Sequence, residues 1–249
     1  MQVREHIDAI EQHAERLGIV AASVGLDAAV PTCPDWAVRD LVGHLGGVHR
    51  WAASFVESAR TEPPGRADGL EQPPGDEELL EWFREGHAHL VKVLEAADDT
   101  VDCWTFLPAP FPLAFWARRQ AHETTIHHAD VAAAAGQHLS VDTALAVDGI
   151  DELLLGFFGR QRGRLLADPG VTLGVRVTDA GASDAWTVRI GPQGREVDRG
   201  SGNGDLVVSG NAADVYLVLW NRAGTDSVEL TGDDRVLDIW REKARINWS

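Results

Sequence analysis

Histidine and carboxylate residues are concentrated in one short segment, RRQAHETTIHHAD, which covers residues 118–130. The spacing is not that of the HExxH zinc motif, because His122 and His127 are five residues apart and would lie about 140° apart around a helix. Glu123 and His127 are instead four residues apart and share one helix face. That face presents a row of large or ionisable side chains: Trp116, Arg119, Glu123, His127 and Asp130. Burying such a row is costly unless its charges are paired or bind a metal ion.

A third metal ligand would have to come from another helix, and the segment 38–60 offers His44 and His49. His44 shares its helix face with apolar residues that should point into a core, namely Leu41, Val48, Trp51 and Phe55. His49 lies about 140° away from that stripe and is predicted to face solvent. Two histidines and one carboxylate leave coordination positions open, as in catalytic zinc sites. Zinc suits this donor set, and the ligand types also allow nickel, iron or manganese.

The spacing alone also allows a site without metal. Glu–His pairs four residues apart are common on helices, and Arg119 could pair with Glu123 in a hydrogen-bonded core network. His122 and His128 flank the ligand face and are expected in hydrogen-bonded or exposed positions, since both point away from the stripe.

These residues need helices to position them, and the first 165 residues show helical periodicity interrupted by proline and glycine. Asp35 is predicted to cap the second helix, and Gly136 to end the fourth. Helices of this length with mostly short links are typical of an antiparallel four-helix bundle followed by one further helix. The predicted helices cover residues 4–23, 35–60, 76–97, 112–135 and 142–163.

After Asp168-Pro169-Gly170 the periodicity changes from helical to alternating. Strands are predicted at 171–179, 185–191, 205–210 and 227–233, with helices at 211–222 and 233–246. The chain is therefore predicted to be α+β, with a helical domain over 1–165 and a small domain with a mainly antiparallel sheet over 166–249.

Composition limits the function classes. The net charge of −17 argues against nucleic acid or an anionic membrane surface as a partner. Two cysteines cannot form a disulfide scaffold or a cysteine-rich zinc site. The sequence shows no signal peptide and no membrane-spanning apolar run, which predicts a cytoplasmic protein. It gives no indication of the oligomeric state.

The segment CPDWAVRDLVGHLGGVHRW (33–51), followed by RRQAHETTIHHAD (118–130), resembles the maleylpyruvate isomerase family of mycothiol-dependent enzymes. That family belongs to the DinB-like superfamily of metal-binding four-helix bundles. The resemblance implies the same three metal ligands, His44, Glu123 and His127. It also matches Asp130 to an acidic position that would support the last ligand.

The stretch 205–240, DLVVSG to DIW, is similar to the C-terminal domain of the same family, whose fold is like that of sterol carrier proteins. Arg222 falls at the family's arginine position, and its guanidinium would suit a substrate or thiol carboxylate. The alternative for Arg222 is a surface ion pair or a charge at a helix C-terminus.

What the resemblance implies is a mycothiol-dependent isomerase or S-transferase, in which one divalent metal activates the cofactor thiol to attack an electrophilic small molecule. Arg119 and Arg222 are candidates for anionic groups, Asp130 acts beside the metal, and Trp51 and Trp116 are candidate pocket walls with Arg222. Trp36 could wall the same pocket. The alternatives are a metal-dependent hydrolase of the same superfamily and a non-catalytic metal- or ligand-binding protein.

Overall fold

The structure, a computed structural model, describes residues 1–65, 69–160, 163–181 and 184–246. Its contacts divide the chain into two compact units, 1–139 and 140–249. No helix within the described ranges is long and apolar enough to cross a membrane.

The first unit is a bundle of four helices, as predicted. Its helices are α1 (Val3–Val24), α2 (Val38–Ser58), α3 (Asp76–Ala96) and α4 (Pro112–Ala134). Helix α1 packs chiefly against α4, and α2 chiefly against α3, while α2 also contacts α4. The core between them is formed by aliphatic and aromatic side chains such as Leu17, Leu41, Leu45, Phe83 and Val131. The contact between α2 and α4 is the one that positions the candidate site.

The ends of the helices follow local sequence signals, with one correction. Gly136, which follows the C-cap residue Ala135 of α4, has φ +66°, the left-handed conformation that glycine adopts readily at a helix end. The prediction that Asp35 caps α2 is wrong, because the residue before the helix is Ala37. The Asp40 carboxylate, inside the first turn, accepts a hydrogen bond from the Ala37 amide at 2.8 Å. Asp40 therefore satisfies a backbone donor that the predicted cap would have taken.

Two glycines of α2 allow the segment before α3 to approach the helix closely. A Cβ at Gly43 would lie 2.9 Å from Pro73 Cγ, and one at Gly47 would lie 3.2 Å from the carbonyl oxygen of Glu71. Larger residues at these positions would push the segment 70–74 away from α2. This segment passes close to His44, so its position matters for the site.

The second unit begins with α5 (Thr143–Asp151), which continues as a π-helical segment, Glu152–Phe157. The Asp142 carboxylate caps α5 by accepting the amides of Ala144 and Leu145. Helix α5 packs against a later helix of the second unit, and the boundary therefore differs from the expected one at residue 165. The predicted helix extended to 163, but residues 161–162 lie outside the described ranges.

The strands that follow are β1 (Val171–Val177), β2 (Ala185–Ile190), β3 (Arg195–Arg199), β4 (Leu206–Gly210) and β5 (Glu229–Gly232), and the helices are α6 (Ala212–Leu219) and α7 (Arg235–Lys243). The strands form a five-stranded sheet in the order β3-β2-β1-β4-β5. Only β1 and β4 are parallel, and the other three pairings are antiparallel, which confirms the predicted α+β class with a mainly antiparallel sheet. Helix α6 contacts β1 and β4, and α7 contacts β1.

Candidate metal centre

The three predicted metal ligands meet between α2 and α4. Nε2 of His44 lies 3.7 Å from Oε1 of Glu123, and Nε2 of His127 lies 3.3 Å from the same oxygen. One ligand atom from each residue falls within 4.8 Å of the other two. Glu123 and His127 are buried, whereas 19% of the His44 side chain is exposed. The group therefore lies inside the bundle but is reached from one side.

These separations fit a single small divalent ion. On a tetrahedral zinc ion with bonds of about 2.0–2.1 Å, two ligand atoms lie about 3.3–3.4 Å apart. The 3.3 Å separation matches that value, and the 3.7 Å separation needs only a small movement of a side chain. Imidazole and carboxylate donors together suit zinc, and three protein ligands would leave a coordination position open.

Asp130 contacts one of the three predicted metal ligands, His127. Its Oδ2 lies 2.9 Å from Nδ1 of His127, and its Oδ1 accepts a hydrogen bond from the Thr32 hydroxyl at 2.5 Å. Asp130 is itself fully buried. A carboxylate held at Nδ1 keeps the proton on that nitrogen and leaves Nε2 available as a ligand atom, as is common for metal-binding histidines. The role of Asp130 beside a metal ion stays a prediction, and the contact with His127 is compatible with it.

Arg119 supplies the positive charge closest to Glu123. Its guanidinium donates to Oε2 of Glu123 at 2.9 Å, and both side chains are buried. Burial raises the pKa of Glu123, but hydrogen bonds from His127 and His44 and the charge of Arg119 outweigh it and hold that pKa well below its usual range. Glu123 is thus ionised, with Oε2 paired to Arg119 and Oε1 directed at the two imidazoles. The Arg119–Glu123 ion pair, which the sequence allowed as part of a core network without metal, is therefore present. The arrangement of His44, Glu123 and His127 as possible metal ligands is present with it.

His127 carries its proton firmly when no metal ion is bound. Burial lowers its pKa, but hydrogen bonds to Asp130 and Glu123 outweigh burial and raise the pKa to about 9. An imidazole between two carboxylates is therefore a cation at neutral pH, and a metal ion that binds Nε2 must replace the proton held there.

Trp36 covers the two imidazoles. Its ring centroid lies 5.0 Å from that of His44 and 6.1 Å from that of His127, nearly parallel to the latter. The rings of His44 and His127 contact each other edge to face at 5.3 Å. This packing limits the rotamers of both imidazoles and shields their contact from water.

The prediction that His49 faces solvent is wrong. His49 is fully buried, and its Nε2 lies 2.9 Å from the hydroxyl of Thr124, next to Glu123 on α4. That hydroxyl also donates to the carbonyl of Gln120 at 2.7 Å, so the imidazole must be the donor to Thr124. Burial, followed by repulsion from His87, lowers the pKa of His49 to about 3. His49 is therefore neutral at physiological pH.

Two histidines that sequence reasoning missed, His6 and His13, lie on α1 and contact His122 and His128 of α4. His13 and His128 face each other with 2.9 Å between their Nδ1 atoms, and the ring of His6 lies 6.1 Å from that of His122. All four are buried, and His128 is hydrogen-bonded as predicted. The pKa of His13 is lowered to about 3 by burial and by His128. His6 and His13 are seven residues apart on α1, the spacing of one helix face, which was a signal available in the sequence.

The other predicted site residues lie in different surroundings. Trp116 is fully buried and donates its indole N–H to the carbonyl of Trp104 at 2.9 Å. Trp51 is half-buried, with its ring 5.3 Å from that of Trp116. These tryptophans belong to an aromatic cluster completed by Phe55, Phe106 and Phe115. Arg222 belongs to the second unit, follows α6 and donates to the carbonyl of Trp220 at 3.1 Å.

The first unit is thus a four-helix bundle that gathers two histidines and a glutamate between two helices, and the second is a small α+β unit. The family model described as the mycothiol maleylpyruvate isomerase N-terminal domain matches residues 7–132. The model described as the MDMPI C-terminal domain matches residues 144–238. The chain belongs to the mycothiol-dependent maleylpyruvate isomerase family.

Two solved structures share the fold, and both are crystal structures of a mycothiol-dependent maleylpyruvate isomerase. One, of a histidine-to-alanine mutant, is 14% identical with a TM-score of 0.61. The other is 12% identical with a TM-score of 0.59. Each comparison covers 93% of this chain and 93% of the other. Among curated proteins no sequence matches this chain. At such low identity the solved structures support the fold.

Proposed function

We propose that this chain is a metal-dependent enzyme that uses mycothiol as a thiol cofactor and acts as an isomerase or S-transferase on an electrophilic small molecule. The observation that carries the proposal is the convergence of His44, Glu123 and His127 at separations that suit one zinc ion. Family membership supports the choice of thiol.

The three side chains would hold the metal, with zinc as the best match to the donors. Zinc with an open coordination position would supply a site at which the cofactor thiol loses its proton and becomes a nucleophile for an activated double bond or a similar electrophile. Asp130 fixes the tautomer of His127, and Arg119 compensates the charge of Glu123 in its buried position.

The protein's own cysteines are poorly suited to supply the sulfur nucleophile, which favours an external thiol. Cys103 is buried, and burial raises the pKa of its thiol. Cys33 Sγ lies 3.9 Å from the Asp130 carboxylate, and a neighbouring negative charge disfavours a thiolate. A low-molecular-weight thiol avoids both penalties.

Arg222 is proposed, from the family resemblance at this position, to hold a carboxylate of the substrate. A guanidinium binds a carboxylate through two parallel hydrogen bonds. If it has this role, Arg222→Met should raise KM for an anionic substrate and leave zinc binding unchanged.

The test begins with the metal. We expect wild-type protein to retain about one equivalent of zinc per chain after loading at neutral pH, and His44→Ala to lose it. His89→Ala is the matched control, because His89 is an exposed histidine on α3, and this variant should retain zinc like the wild type. Wild-type protein that binds no zinc after reconstitution would overturn the proposal.

The second step tests the thiol. Calorimetric titration of the zinc-loaded protein with mycothiol should show binding, and His44→Ala should not bind. Isomerisation of maleylpyruvate, followed with and without mycothiol, then separates an isomerase from an S-transferase that forms a stable adduct. If the protein retains zinc but binds no thiol, the proposed thiol dependence is contradicted and the alternative of a metal-dependent hydrolase is favoured.

A further inference from the structure

A cavity of about 670 Å³ lies in the first unit between α1 and α3. Small residues at every fourth position of α1 leave room for it, namely Ala14, Gly18 and Ala22, because this spacing places them on one helix face. A Cβ at Gly18 would lie 3.9 Å from Cε1 of Phe83, which lines the cavity from α3. The candidate metal ligands do not line this cavity, so it uses other residues than the metal centre.

Most of the lining is apolar. The larger apolar side chains in it are Ile19, Leu80, Phe83 and Val91. Phe83 is buried, whereas Ile19 is 70% exposed. Removing such exposed apolar surface from water favours binding of an apolar group. The volume lies within the range of about 300–1,000 Å³ found for small-molecule pockets.

His87 is a buried polar group in the wall of this cavity. Its side chain is 5% exposed, and its Nδ1 has no hydrogen-bond partner among the residues that the structure describes. Burial lowers the pKa of His87, and the charge of Glu15 only partly opposes that shift. The imidazole is therefore neutral at pH 7 and offers one ring nitrogen as an acceptor. A ligand that donates a hydrogen bond would relieve the cost of leaving a buried nitrogen unpaired.

The charged side chains of the lining also offer acceptors. Glu11 and Glu15 lie one turn apart on α1 and line the cavity, and neither forms an ion pair within the described part of the chain. Lys92 is the lining cation that likewise has no ion pair with a described residue. The other lining carboxylates are already in ion pairs, Glu81–Arg84 and Glu95–Arg4. Two unpaired carboxylates against one cation, in a chain of net charge −17, favour a cationic ligand.

We propose that this cavity binds a small amphipathic cation, a primary ammonium group on an apolar body. The ammonium group carries three donors and no acceptor, which suits the carboxylates of Glu11 and Glu15 and the unpaired imidazole of His87. The apolar body covers Phe83 and Ile19. A ligand with a carboxylate in place of the ammonium group would be repelled by the two glutamates. This binding site goes beyond the proposed function, because it involves neither the metal ligands nor a thiol.

The test compares three probes with one apolar body and different charge: phenylbutylamine, phenylbutanol and phenylbutyrate. Each is titrated into the protein while the ring signals of His87 and Phe83 are followed by NMR. We expect saturable shifts, with the amine bound roughly fivefold more tightly than the alcohol and the carboxylate bound most weakly. Because an amine can also coordinate zinc, the titrations use metal-free protein, and His44→Ala should bind the amine like the wild type. This result does not depend on whether the chain binds zinc or mycothiol.

Two variants locate the binding. Gly18→Leu should weaken all three probes at least roughly tenfold, because the added side chain fills the cavity and displaces apolar contacts. The variant should fold, since its Cβ makes only an ordinary contact with Phe83 and leucine favours a helix more than glycine does; circular dichroism checks this. Glu11→Gln with Glu15→Gln should weaken the amine about three- to tenfold, the effect of two partly exposed ion pairs, and leave the alcohol unchanged.

Glu57→Gln is the matched control, because Glu57 is an exposed glutamate on α2 outside the cavity lining. It should bind the amine like the wild type. Equal affinities for the amine and the alcohol, wild-type binding by Gly18→Leu, or equal behaviour of Glu57→Gln and the double glutamine variant would overturn the proposal. So would a wild-type dimer in sedimentation that Gly18→Leu converts to a monomer, since a second copy of the chain would then cover the cavity.

Discussion

Replacing Asp130 by asparagine tests whether this buried carboxylate sets the metal-binding form of His127. The carboxylate accepts from Nδ1 of His127 at 2.9 Å and from Thr32 at 2.5 Å. An asparagine can still accept from Thr32 with its oxygen, but it then presents an NH₂ group to Nδ1. That arrangement favours the tautomer protonated at Nε2, the atom directed at Glu123. The wrong nitrogen would then carry the proton.

The expected loss can be given a magnitude. Removing the partner that orients a ligating histidine costs about 10- to 100-fold in metal affinity, equivalent to about 1.4–2.7 kcal/mol. Thr32→Val is the milder control, because it removes a neutral donor to Asp130 but keeps the carboxylate at His127. One lost hydrogen bond of this kind, acting only through Asp130, should weaken zinc binding by no more than about threefold.

The assay is competition with a chelator of known zinc affinity at neutral pH, with circular dichroism to confirm that the helices remain. We expect zinc affinity to decrease in the order wild type, Thr32→Val, Asp130→Asn. If Asp130→Asn binds zinc within twofold of the wild type while His44→Ala does not bind it, the assigned role of Asp130 is refuted.

Three further predictions concern stability. Glu123→Gln should lower the free energy of unfolding, measured by urea denaturation, by about 3 kcal/mol, because Arg119 loses its buried counter-charge. The double variant Glu123→Gln with Arg119→Met should recover most of the lost stability. No recovery would show that loss of the Arg119–Glu123 pair does not cause the destabilisation. The pKa of His13, lowered to about 3 from 6.5, means that below pH 6.5 the unfolded chain takes up a proton that the folded chain does not. Stability should therefore fall as pH decreases from 6.5 toward 3, by up to about 1.4 kcal/mol per pH unit from this group, and an unchanged slope in His13→Phe would contradict the assignment. Trp116→Phe should lower the free energy of unfolding by about 1–3 kcal/mol, because a hydrogen bond and side-chain volume are lost, and it should leave thiol affinity unchanged. Weakened thiol binding in this variant would instead support Trp116 as a wall of the thiol pocket.

Much of the candidate site could be predicted because its residues lie on two regular helices. A spacing of four residues places Glu123 and His127 on one face whatever the rest of the fold does. His49 could not be placed in this way. A helix that packs against two neighbours buries more than one stripe, and α2 contacts both α3 and α4. The ring centroid of His49 lies 5.8 Å from that of Phe83 on α3, and its Nε2 contacts the Thr124 hydroxyl on α4. His49 is therefore buried although it lies away from the apolar stripe of α2.

In the second unit the predicted strands agree with the structure wherever alternation was strong, and β3 was missed. Its sequence, REVDR, contains a single apolar residue, Val197, because an edge strand pairs on only one side and is largely exposed. The unit boundary was placed too late for a different reason. Periodicity shows that α5 is a helix but not which unit it packs against, and its partner α6 lies about 70 residues further along the chain. Contacts that distant leave no local signal.

The position of Trp36 also provides a spectroscopic probe. Its indole contacts both His44 and His127, and a protonated imidazole quenches the emission of a neighbouring indole. A metal ion that displaces the proton from His127 should therefore brighten Trp36, and the difference between wild type and Trp36→Phe isolates this signal from that of the other eight tryptophans. If the proposed metal binds, Trp36 should report its uptake optically, and the signal could be followed in stopped-flow experiments without any added label.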